Sequence, residues 1–232
     1  MKGRIAEIFA SVQGEGLYVG ERQIFIRLAG CNLKCSYCDT DTSSFREYEP
    51  GEALAQIERF APTRCTPRRL TTYAVVSFTG GEPLLQADFL KELLPLVRQA
   101  GFRNYLETNG TLPEAMAAVT GLVDTVAMDL KFPSSGKTAP CWEAHRAFLA
   151  ACAGNEVFIK AVIGARTKEP DLLEAIRVIK DVRPGIVLVL QPESSVTRGS
   201  LDAKLGVYKK LCDDAAIDAR VIPQVHKLSG VR

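Results

Sequence analysis

The sequence predicts an α/β fold, an incomplete TIM-like βα barrel, on two observations. Short apolar runs alternate with helical patterns, and the runs end in side chains able to do chemistry. The first run, 23–28 (QIFIRL), is rich in β-branched and aromatic residues and leads to Cys31. Runs at 74–78, 104–107, 125–130, 157–162, 186–190 and 219–222 follow. Between them, apolar residues recur at helical spacing in 86–99, where Phe89, Leu90, Leu93, Leu94 and Val97 share a face. The same spacing returns at 113–119, 142–151, 171–180 and 201–215. Strands alternating with helices make parallel βα units, whose right-handed crossovers build either a doubly wound open sheet or a barrel.

The strand ends choose between these two. The second run leads to Thr79, Gly80, Gly81 and Glu82, and the third to Glu107, Thr108 and Asn109. The fourth leads to Asp129 and Lys131, the sixth to Gln191, and the seventh to Gln224 and His226. A barrel brings all these carboxyl ends to one rim, whereas an open sheet converges few of them at one switch point. Seven strands rather than eight make the barrel incomplete.

At 232 residues and 47% hydrophobic composition the chain can bury one sizeable core, so a single domain over 1–232 is expected. Lys and Arg number 29 against 27 Asp and Glu, a formal charge of +2, which lacks the electrostatic footprint of a nucleic-acid or anionic-membrane binder. Small ligands are the expected partners. The N-terminal MKGRIAEIFASVQGEG has no signal-peptide run, and no later stretch approaches the roughly 18 apolar residues of a membrane helix, so a cytoplasmic protein is expected. Of seven cysteines, Cys65, Cys141, Cys152 and Cys212 stand singly and read as reduced thiols rather than a disulfide framework. The basic stretch 64–69 reads as a solvated loop.

The remaining three cysteines, Cys31, Cys35 and Cys38, lie in GCNLKCSYCD at spacing CxxxCxxC directly after a strand, so their sulfurs can meet in one loop. Thiolates select zinc, copper(I) or iron-sulfur clusters. With three local ligands, either His145, His226 or a distant cysteine closes a structural zinc site, or one iron of a four-iron cluster keeps an open position. Farther on, FTGGEP (78–83) places Gly80 and Gly81 where a backbone can approach a ligand and Glu82 where it can accept from an ammonium group. The plain reading of that segment is a strand-to-helix turn with Pro83 opening the helix.

Together the triplet and FTGGEP resemble the radical S-adenosylmethionine (SAM) superfamily, which makes the expected barrel one of the radical SAM type. The resemblance implies a 4Fe-4S cluster on the three cysteines and SAM chelating the open iron. One electron then splits a carbon–sulfur bond of SAM into a 5′-deoxyadenosyl radical and methionine.

Within that superfamily, the stretch IFASVQGEGLYVGERQIFIRLAGCNLKCSYCDT, with FTGGEPLLQ, LETNGT, MDLKFPSSG and the tail IPQVHKLSGVR, resembles the 7-carboxy-7-deazaguanine synthases. This implies a lyase of queuosine or deazapurine biosynthesis, acting by radical ring contraction of 6-carboxy-5,6,7,8-tetrahydropterin with loss of ammonia. It implies substrate contacts at Val12, Gln13, Gly14, Glu15, Arg27, Thr79 and His226, and a Mg2+ ligand at Thr40. It further implies SAM contacts at Tyr37, Cys38, Asp39, Gly80, Gly81, Glu82, Asp129, Lys131 and Ser134. An electron donor such as flavodoxin or ferredoxin and a homodimer belong to the same expectation. The residue types suit it: an amide and a carboxylate can read a pterin edge, a guanidinium forks onto a carboxylate, and magnesium prefers oxygen. MDLKFP, the stretch that carries Asp129 and Lys131 ahead of Ser134, departs from the SPK pattern of many relatives. Bland readings stand beside these: Gln13 and Glu15 in an exposed turn, Arg27 paired with Glu21, Thr40 as a turn hydroxyl or helix cap, and His226 packing the tail; the resemblance also implies that the terminal carboxylate of Arg232 lies near the substrate, as in some relatives. The rival activity is a glycyl-radical activase working on a partner protein.

Overall fold

The structure is a computed structural model that describes residues 1–60, 74–194, 196 and 199–230. The stretch 64–69, Cys65 and Arg232 lie outside the described residues. In chain order the elements are β1 (Gly3–Val12), β2 (Arg22–Leu28), β3 (Arg46–Tyr48), α1 (Pro50–Glu58), β4 (Val75–Gly80), α2 (Ala87–Gln99), β5 (Arg103–Thr108) and α3 (Pro113–Val119). There follow β6 (Thr125–Asp129), α4 (Pro133–Gly136), α5 (Trp142–Ala151), β7 (Glu156–Ile163), α6 (Glu169–Val182), β8 (Leu188–Pro192), α7 (Asp202–Asp214), β9 (Ala219–Val221) and α8 (Val225–Ser229).

The strands form one sheet in the order β3-β1-β2-β4-β5-β6-β7-β8-β9. From β2 to β9 neighbours run parallel, and β1 is antiparallel to both β2 and β3. Among the described residues no pairing joins β3 to β9, so the sheet stays open as an incomplete barrel. The seven expected strands are the seven parallel ones. The hairpin partner β1, the edge strand β3 and the helices α1, α4 and α8 were not foreseen. Helix α1 does carry start signals, Pro50 in its first turn and a reciprocal capping box between Glu49 and Glu52.

The crossover helices cover one face of the sheet, because alternate strand residues such as Ile24, Ile26, Val76, Phe78, Val126 and Met128 are fully buried against them. On α2 the expected stripe is the buried one: Phe89, Leu90, Leu93, Leu94 and Val97 are at most 1% exposed. Each such side chain contributes about 2 kcal/mol of burial, which outweighs the cost of Pro95 inside that helix. No helix among the described residues is long and apolar enough to cross a membrane.

Candidate active site

The period-two alternation of the strands also explains the other face. Val75, Tyr105, Ala127, Phe158 and Val189 point inward and pack together as a small apolar plug, separate from the main core. Two residues farther along the same strands, that face carries Ser77, Glu107, Asp129, Lys160 and Gln191. The barrel is therefore plugged at the amino ends of its strands and polar at the carboxyl ends. There it opens into a cavity of about 540 Å³, a volume suited to small ligands.

Cys31, Cys35 and Cys38 line this cavity from the loop after β2. A close approach holds the loop: Gly81 N donates to Leu28 O at 3.1 Å and Glu82 N to Gly30 O at 2.8 Å. A methyl on Gly81 would stand 2.0 Å from Gly30 O and 3.0 Å from Cys31 Cβ. Gly81→Ala is expected to push Gly30 and Cys31 aside, costing about 2 kcal/mol of stability and most of the iron bound per chain after anaerobic reconstitution. Iron content equal to the parent's would disprove this role for the glycine.

The donor set fits a four-iron cluster. The cavity wall offers three thiols along one loop, and a cube takes its ligands at separate corners. His145, named as a possible fourth zinc ligand, sits buried on α5 with Nε2 3.1 Å from Asn109 O, and it does not line the cavity. Burial pushes its pKa down to about 4, and Nδ1 has no hydrogen-bond partner among the described residues. An imidazole neutral in the fold and titrating at about 6.5 when unfolded supplies stability that is complete above pH 6.5 and lost as pH falls toward 4. Two and a half units correspond to about 3 kcal/mol. His145→Gln should therefore flatten the fall in urea midpoint between pH 7 and pH 4.5; an unchanged slope would show that the histidine is not its source.

The SVQGEG turn lines the same cavity as the cysteines, and it is not an exposed turn. Gln13 is 3% exposed; its amide nitrogen donates to Glu107 Oε1 at 2.8 Å and Gln23 Oε1 at 3.3 Å, and its oxygen accepts from Glu15 N at 3.1 Å. Both amide hydrogens are thus taken by protein, because a buried amide must find partners. Glu15 accepts from Lys160, from Gln191 Nε2 at 3.2 Å and from Gln224 Nε2 at 2.5 Å. Burial would raise its carboxyl, but the Lys160 ammonium and these hydrogen bonds outweigh that and hold it at about 2. What the expectation placed directly on substrate is thus first a knot that ties β1, β7, β8 and the tail together.

The other expected residues divide. Val12, Gly14, Arg27, Tyr37, Asp39, Thr40, Thr79, Gly80, Asp129, Lys131 and His226 all line the cavity. Arg27 lies 3.6 Å from Glu7, not Glu21, with its guanidinium over the Phe9 ring. Thr79 Oγ1 donates to Glu107 Oε2 at 2.9 Å. His226 packs against Gly14, where a Cβ would meet Nδ1 at 2.2 Å, so that glycine is what admits the tail. Lys131 pairs with Asp129 at 2.8 Å and stands over the Tyr37 ring.

Two residues fall outside the cavity. Glu82 is fully buried and accepts from Thr108 Oγ1 at 2.8 Å, Asn109 N at 2.7 Å and Leu84 N at 3.1 Å. Its carboxylate ties β4 to β5 instead of meeting an ammonium group, since a carboxylate without solvent needs donors from the protein. Ser134 bonds Asp171 and accepts from Lys168 N at 2.9 Å, fastening α4 to the start of α6. Lys160 was not among the expected site residues, and Glu107 was expected at the rim without a role. A lysine inside the strand EVFIKAVI was the available signal, because a lysine in a buried strand needs a carboxylate partner.

A plugged, incomplete barrel with a three-thiol loop on its rim defines the radical SAM class of enzymes, and residues 25–195 match the Radical SAM superfamily model. The chain is 36% identical to the 7-carboxy-7-deazaguanine synthase of Geobacter sulfurreducens, over 97% of its own length and 96% of that protein. It is 37% identical to the synthase of Archaeoglobus fulgidus over the full length of both. The solved structure of QueE from Escherichia coli shares the fold, with a TM-score of 0.65 and 22% identity over 97% of this chain and 95% of that one. The chain belongs to the 7-carboxy-7-deazaguanine synthase family of that superfamily.

Proposed function

We infer that this chain converts 6-carboxy-5,6,7,8-tetrahydropterin into 7-carboxy-7-deazaguanine with loss of ammonia, as a carbon–nitrogen lyase feeding queuosine or another deazapurine. The observation that carries the inference is that the cysteine triplet and the SVQGEG turn line one and the same cavity. Cys31, Cys35 and Cys38 would hold the 4Fe-4S cluster, which when bound supplies the electron that splits SAM into the hydrogen-abstracting radical. Tyr37, Asp39, Gly80, Gly81, Asp129 and Lys131 would hold SAM beside it. The backbone of Val12, Gln13 and Gly14, with Thr79 and His226, would frame the pterin. Arg27 would fork onto the substrate carboxylate, and Thr40 would give an oxygen to Mg2+, which would supply charge to polarise that carboxylate. The apolar plug beneath keeps water from the reacting face. One sheet, with the site residues on its strands or on the segments that follow them, supports a single domain over 1–232. Flavodoxin or ferredoxin as reductant, a cytoplasmic location and a homodimer complete the proposal.

Purified protein incubated without oxygen with carboxytetrahydropterin, SAM and dithionite should yield deazaguanine carboxylate, read by mass spectrometry, with no partner protein added. Cluster-loaded protein that makes none would remove the proposal and leave the activase reading. Arg27→Ala should raise KM for the pterin about 30-fold, the loss of one charged hydrogen-bonded contact, and Thr40→Ala should blunt the response to magnesium. Parental KM in Arg27→Ala would detach the guanidinium from the substrate.

A further inference from the structure

Lys160 is a largely buried ammonium group on the cavity wall, shared between two carboxylates, Glu15 and Asp129. It holds Glu15, in the turn proposed to frame the pterin, and lies 3.4 Å from Asp129. Asp129 is bonded in turn to Lys131 at 2.8 Å, and Lys131 stands 5.4 Å from the centre of the Tyr37 ring, beside the cysteine loop. A chain of alternating charge thus crosses the cavity floor from the substrate side to the cofactor side. It is unevenly drawn, because Lys160 is tight on Glu15 and slack on Asp129. The burial of both ends makes each shift of the ammonium count for more than it would in water.

We propose that Lys160 is a positioning residue that couples the two ligands, so that occupation of the pterin subsite tightens SAM binding. This rests on the reading that both ligands share the cavity. Substrate N–H donors reaching Glu15 weaken its hold on Lys160, and the ammonium moves onto Asp129. Asp129 then releases Lys131 to meet an anionic group of the cofactor. The two arrangements of one ammonium are the bistable element that such coupling requires. The sign is positive, and linkage makes it reciprocal.

The test measures SAM affinity by equilibrium binding of labelled SAM to cluster-loaded protein kept oxidised, so that no turnover occurs, with and without saturating carboxytetrahydropterin. The parent should bind SAM about 10-fold tighter with the pterin present. In Lys160→Met the ratio should fall to within about 2-fold of unity, although each ligand alone still binds. A lysine that merely props up the fold would weaken both ligands and leave their ratio intact. Should Lys160→Met fail to fold, Asp129→Asn cuts the same chain at its other end and should lose the ratio equally. A parental ratio in whichever variant folds, or no effect of pterin in the parent, overturns the proposal. If the parent shows coupling but makes no deazaguanine, the proposed reaction fails instead; if it makes product and the variants keep the ratio, only the coupling fails.

Discussion

Cys35→Ser should leave a folded chain that holds no stable 4Fe-4S cluster and makes no detectable deazaguanine. Cys35 is the least exposed of the three thiols on the cavity wall, and burial pushes its pKa up against the pull of Lys131. Bonding to iron would displace the proton and make it a thiolate. A serine hydroxyl is a hard oxygen with no comparable affinity for iron, and the two remaining cysteines cannot hold a cube that already has one corner without a protein ligand. Because the site lies in a loop and outside the hydrophobic core, stability should change by less than about 1 kcal/mol. Activity should fall by at least about 10³-fold, because the cofactor performs the bond breaking and the protein has no substitute for it. Iron per chain and visible absorbance after anaerobic reconstitution, set beside product yield, check this. Retention of both in the variant would mean that the triplet is not the cluster site.

Glu15→Ala should be the most damaging single change to the fold at the site, lowering stability by about 3 kcal/mol. It strands the Lys160 ammonium with only the slack contact to Asp129 and leaves Gln191 Nε2 and Gln224 Nε2 without their acceptor. The pKa gives a second route to the same size: a carboxyl at about 2 in the fold and about 4.5 when unfolded is worth about 3 kcal/mol. That contribution is complete above pH 4.5 and disappears as pH falls toward 2. The gap in urea midpoint between the parent and Glu15→Gln, which keeps the shape without the charge, should therefore narrow as the pH is taken from 6 to 3. A gap independent of pH would show that the ion pair does not carry the stability of the turn. Loss of the pterin subsite should accompany Glu15→Ala, because the turn that frames it is no longer tied to β7 and β8.

Much of the fold was legible because the parallel strands are buried on both faces and read as continuous apolar runs. QIFIRL became β2, and the run at 157–162 lies within β7. The helices at 113–119 and 142–151 fall on α3 and α5, where apolar periodicity and burial agree. The N-terminal strand β1 was not legible, since GRIAEIFASV is mostly half-buried, with β2 on one side and the short β3 on the other. Its pattern is neither a clean alternation nor an apolar run. The tail helix α8 is five residues long, and its place is set by contacts such as Val225 N to Gly14 O at 2.8 Å and Lys227 to Asp39, which cross most of the chain.

The sequence by itself determined which chemistry is possible. Three thiols at loop spacing after a strand, glycines where β4 must pass the cysteine loop, and polar residues at strand ends are local facts, and a loop or a strand carries them without reference to the rest of the molecule. Only the tertiary structure decided what each polar side chain spends its hydrogen bonds on. Glu82 and Ser134 serve the scaffold, Glu15 and Gln13 are knotted into it, and Lys160 became central without belonging to any motif. The reason is physical: enclosure inside the barrel obliges every charge and amide to find a partner. Those partners come from segments up to 209 positions away in the chain, as Gln224 does for Glu15.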